Sequence, residues 1–116
     1  MTDIDELFER IDGGGDMDRL RLDIADAIVD GLEAAEESFS YWEKAHFAQA
    51  IAALAWNINL GDRDARSWLR LCLVNFELAQ VPPEGRSEDY AHRDTQVDAL
   101  TFAELMADVR RLGGRV

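Results

Sequence analysis

An all-α fold of four to five helices, with no sheet, follows from three observations. Apolar residues recur at helical spacing along most of the chain, no segment shows the strict alternation of a half-buried strand, and stop signals separate the periodic stretches. Those signals are Gly13-Gly14-Gly15, Leu60-Gly61-Asp62, Val81-Pro82-Pro83 and Gly113-Gly114. With 47% of its 116 residues hydrophobic, the chain can bury a core, and a single helical domain over 1–116 is expected.

The first helix is short. Thr2 or Asp3 caps it, and Ile4, Leu7, Phe8 and Ile11 share one face. Three glycines then interrupt it, since glycine surrenders the most backbone freedom on ordering. Residues 1–15 are therefore expected to form a mobile N-terminal helix on a glycine hinge. The glycines make no phosphate cradle, because acids flank them and no Lys-Ser/Thr pair follows at P-loop spacing.

A second helix is expected over 16–37, with Met17, Leu20, Ile24, Ala27, Ile28, Leu32 and Ala35 in one apolar stripe. Roughly opposite stand Asp23, Asp26, Asp30, Glu33 and Glu37, at i, i+3, i+7, i+10 and i+14. Like charges so arranged cost about 0.2–0.5 kcal/mol per adjacent pair, which burial of the stripe must offset. Gly31 weakens the helix by about 1 kcal/mol relative to Ala and marks a close helix crossing.

The stretch 45–60 holds no Asp, Glu, Lys or Arg in a chain that is 31% charged. Phe47, Ile51, Leu54, Ala55 and Ile58 fall on one side of a helix; Trp42, Ala45, Ala52, Ala53, Trp56 and Leu60 fall on the other. Such a helix is expected to be buried on nearly all sides, and it is too short and too polar to span a bilayer. Ser40 and Glu43 form a capping box at its start. The brief link at Gly61 makes 41–59 and 63–80 a central antiparallel hairpin. Within 63–80, Ala65, Trp68, Leu69, Cys72, Phe76 and Ala79 form one apolar face, while Leu71, Val74 and Leu78 form a second. Arg63, Arg66 and Arg70 make a basic ridge at i, i+3 and i+7. Prolines 82 and 83 stop the helix, and 81–94 is expected to be an exposed loop. Thr101 with Glu104 opens a last amphipathic helix carrying Phe102, Leu105, Met106, Val109 and Leu112.

Charge placement narrows the function. The net charge is −12, and residues 1–40 carry 13 acidic against three basic side chains. This excludes direct nucleic-acid binding and attraction to anionic membranes, and it favours a basic protein surface as partner. The single Cys72 excludes an intramolecular disulfide and fits a reducing compartment. The first residues, MTDIDELFER, lack a secretory signal, so a cytoplasmic location is expected.

Catalytic chemistry finds little footing. Glu43 and His46 form a Glu-x-x-His, the half-motif of helical di-iron carboxylate sites. The other histidine, His92, follows Asp89 at the same spacing, so the second half has the wrong acid and falls in the expected loop. Cys72 sits among apolar neighbours with no cationic partner in its helix, unlike a reactive thiolate. No enzyme activity and no cofactor are expected. The reading favoured is a small non-enzymatic interaction module, of inhibitor, immunity or adaptor type, docking on a basic partner; in a special case it mimics nucleic-acid phosphates. Its acidic column would be Asp23, Asp26, Asp30, Glu33 and Glu37, with Tyr41, Trp42 and Trp56 as aromatic anchors. The arginine ridge would serve salt bridges or an anion. Competing readings are a helical metal protein or enzyme built on Glu43 and His46, and a structural homodimer.

Overall fold

Five helices make up the described residues of the computed structural model, which are 4–13, 16–35, 41–56, 62–80 and 99–113. They are α1 (Ile4–Asp12), α2 (Met17–Ala35), α3 (Tyr41–Trp56), α4 (Asp62–Gln80) and α5 (Ala99–Gly113). No strand occurs among these residues, and none of the helices is long and apolar enough to cross a membrane. The architecture is an all-α bundle.

The expected hairpin is present. His46 faces Asn75, Phe47 faces Phe76 and Trp56 faces Trp68, so α3 and α4 run antiparallel over their length. At the hub, however, stands α2, which packs against all four other helices. Leu20, Ile24, Ala27, Ile28 and Leu32 are buried as their stripe predicts, and Ala25 and Val29 are buried beside them. Neighbours on both flanks widen the covered arc beyond a single stripe. By contrast, α3 is covered on one side only. Phe47, Ala50, Ile51, Ala53 and Leu54 are buried, whereas Ala45, Gln49, Ala52, Ala55 and Trp56 face outward. The expectation of burial all round is thus corrected: α3 packs on α4, α5 and α2 and leaves an uncharged face open.

Helix α1 docks on α4 and α2 with Leu7 and Ile11 wholly buried. Each such side chain contributes about 1.5–3 kcal/mol, an upper figure because the unfolded chain is itself partly collapsed. Asp16 begins α2 by accepting the Asp18 backbone N–H at 3.0 Å, an N-cap on a helix whose first turn follows the glycines. At the other end of the chain, α5 is already under way at Ala99, so Thr101 lies within its first turn rather than at its cap.

Gly31 is where α2 crosses α4. A β-carbon there would lie 2.8 Å from Cε1 of Phe76 and 2.8 Å from Nε2 of Gln80. The glutamine is a flexible side chain that can swing away; the phenylalanine ring is buried and cannot. Gly31→Ala is therefore expected to destabilise the fold by up to about 2 kcal/mol. Overpacking of about 1–3 kcal/mol outweighs a helix-propensity gain of about 1 kcal/mol. Urea midpoints of the two proteins at equal m-value check this, and a more stable alanine variant would show that the ring yields.

Candidate functional site

The acidic column does not face solvent as one strip. Asp23, 17% exposed, lies between Arg10 of α1 at 2.8 Å and Arg19 of its own helix at 3.3 Å. Glu33 meets Arg110 of α5 at 3.2 Å. Asp26 is half-buried, Asp30 is exposed, and Glu37 lies outside the described residues. The reason is the hub position of α2: helices on both of its flanks bring guanidinium groups up to the acids that border the core. Asp23 and Glu33 tie α1 and α5 to α2.

The basic ridge has a similar internal use. Arg66 donates to the backbone carbonyl of Ile11, and Arg70 pairs with Asp12. Both meet the C-terminal turn of α1, where carbonyl groups lack helical partners and the helix dipole is negative. The side chain of Arg63 lies outside the described residues. An anion at this ridge would have to displace the end of α1.

Around Asp30 the helices leave a cavity of about 110 Å³, bounded by Ile4, Ala27, Gly31, Ala34, Phe76 and Gln80. Arg10 meets Asp23, and Ile4 reaches the wall near Asp30, so α1 runs antiparallel to α2 and closes one side. The walls are chiefly apolar, while the polar groups are one carboxylate and one amide. An apolar wall beside a carboxylate is chemically suited to an aliphatic stem with a cationic end. In the sequence Gly31 signals only a close helix crossing; the cavity itself needs residues from α1, α2 and α4.

A separate surface lies on the α3–α5 side. A groove of about 350 Å³ runs between these helices, lined by Ala48, Ile51, Ala52, Ala55, Leu105 and Leu112. Among the described residues its charged lining side chains are Asp108 and Arg111, which pair with each other. Trp56, next along α3, is 65% exposed and stacks on Trp68 with centroids 6.1 Å apart. The side chains of Tyr41 and Trp42 lie outside the described residues. The groove was missed by reasoning from the sequence, because an Ala-rich helix face reads equally well as a core contact.

His46 and Glu43 sit on α3 beside α4. The Nδ2 of Asn75 donates to the Leu71 carbonyl at 3.0 Å, so Oδ1 is the acceptor that faces His46 Nδ1 at 3.1 Å. An amide oxygen only accepts, which assigns the proton to Nδ1. The bond satisfies Asn75, a buried polar residue of α4. Among the described residues no three His, Cys, Asp or Glu side chains come together as a metal site would need. Cys72 is wholly buried, and burial pushes its thiol up to about 12, away from the thiolate that a nucleophile requires.

No family model matches the chain, and no curated protein and no solved structure matches it. Two surface features share no residue: the acidic α1–α2 side with its small cavity, and the α3–α5 groove with one acid and one base.

Proposed function

We propose that this chain is a small acidic, non-enzymatic interaction module that docks on a basic protein surface and seats a partner lysine or arginine at Asp30. The observation that carries this reading is the cavity at that carboxylate, walled by Ile4, Ala27, Ala34 and Phe76. The partner's methylene stem occupies it while the cationic head meets Asp30 and the Gln80 amide. Glu6 and Glu9, exposed on the helix that closes the cavity, add to the negative field. With 13 acids against three arginines in the first forty residues, that field steers a cationic partner and raises its rate of encounter. A nucleic-acid-binding groove is one basic surface that this charge would suit.

The test compares immobilised wild-type chain with a Glu6→Lys, Asp30→Lys variant against the same native-host lysate. A basic protein retained by the wild type is expected to bind the variant at least about tenfold more weakly, a loss of about 1.4 kcal/mol. Its association rate should also fall steeply as salt rises. Equal retention by both chains, or association indifferent to salt, would sink the reading.

A further inference from the structure

We propose that the α3–α5 groove is the contact surface for a second copy of this chain, forming a two-fold symmetric dimer. The charge distribution argues for that occupant. Two copies of a chain with net charge −12 repel wherever their acidic sides approach. The five outward positions on α3 (Ala45, Gln49, Ala52, Ala55 and Trp56) carry no charge, and the groove beside them balances one acid against one base. Two copies can meet on this side without that repulsion.

The pattern is also self-complementary. A two-fold axis brings each residue of one copy against a residue of the other and returns the same pairing in reverse. Asp108 of one copy and Arg111 of the other can therefore exchange partners across the axis, keeping both charges satisfied. Ala52 and Ala55 present almost no side chain, so the two α3 helices can pack at the short end of the usual 8–10 Å separation. The half-buried Leu112 then fills groove volume that water would otherwise occupy, above a floor that includes the buried Leu105.

Other occupants fit less well. A cationic peptide would find one carboxylate, Asp108, already held by Arg111. The stretch 81–98 of this chain would carry five acids into a cleft of no net charge, with Val81, Tyr90 and Val97 as its larger non-proline apolar side chains. This surface is separate from the Asp30 cavity, so either proposal can stand without the other.

Sedimentation velocity of the full chain over a wide concentration range tests it. The expected result is a concentration-dependent shift from one chain mass to two, with the dimer favoured by added salt because salt screens the net charge. The basic-partner contact has the opposite salt dependence, which keeps the two outcomes apart. Ala52→Glu, at an exposed position, should weaken the dimer at least about tenfold with helicity unchanged. Asp108→Arg and Arg111→Asp should each weaken it, and the doubly swapped chain should recover it, because self-complementarity is restored. One chain mass at every concentration would overturn the proposal. So would a dimer indifferent to Ala52→Glu, or a double swap no better than the single changes. Saturable binding of a basic helical peptide in the groove of a monomeric chain would also refute it.

Discussion

Phe76→Ala is expected to cost about 3–5 kcal/mol, the range for truncating a buried aromatic side chain. The ring is 2% exposed on α4 and packs against two other helices. It meets Phe47 of α3 with centroids 6.2 Å apart and planes tilted by 50°, and it lies under Gly31 of α2. Its removal takes away the transfer free energy of the ring, an aromatic contact of about 0.5–1.5 kcal/mol, and the surface on which α2 crosses. Repacking cannot refill the space, because the residue opposite is a glycine with no side chain to move in. Against an ordinary total stability of about 5–15 kcal/mol, the variant should be largely unfolded at moderate urea. Equilibrium denaturation followed by helical circular dichroism measures the loss. A decrease below about 1 kcal/mol would mean that the α2–α4 crossing does not depend on this ring.

The second large effect concerns Cys72. Burial moves its thiol from the ordinary value of 9.0 to about 12, so at pH 8 the folded chain holds about a thousandfold less thiolate than an unfolded one. Alkylation by a neutral reagent is expected to run at least about a thousandfold slower in buffer than in denaturing urea, and to proceed through unfolding. A native rate within about tenfold of the unfolded rate would mean that α4 opens readily. The same shift makes the fold sensitive to alkali. Below pH 9 both states keep the proton and the thiol adds no pH dependence. Between about pH 9 and 12 the unfolded chain releases the proton while the folded chain retains it, so stability falls by roughly 1 kcal/mol per pH unit. Cys72→Ala should lack that component of the slope. Identical slopes for the two chains would contradict the burial of the group.

Particular residues show how far the pattern could be read. Leu20, Ile24, Ile28 and Leu32 lie at helical spacing and form the buried face of α2. The hairpin between 41–59 and 63–80 follows from two helical patterns joined by a glycine link. Gly31 announces a close crossing because nothing within a helix otherwise favours glycine. Ala25 and Val29 were not assigned to the core, since their burial comes from neighbours on the other flank of α2. Trp56 and Ala52 could equally have been core or surface, because an alternation of small and aromatic residues does not say which helix comes near. Asp30 kept its outward place, yet the cavity beside it is built from three helices and has no signature in any one of them.

What the amino-acid order determined by itself is local: where helices form, where they stop, and which side chains are too apolar to leave in water. Those properties depend on backbone hydrogen bonding and periodicity within a few turns. Tertiary structure alone decided which helix is the hub, which face of α3 stays open, and which acids are neutralised. Glu33 and Arg110 are 77 residues apart in sequence and 3.2 Å apart in space. A charge acts on whatever the folded chain brings near it, and a helix face is buried only if a neighbour arrives to cover it.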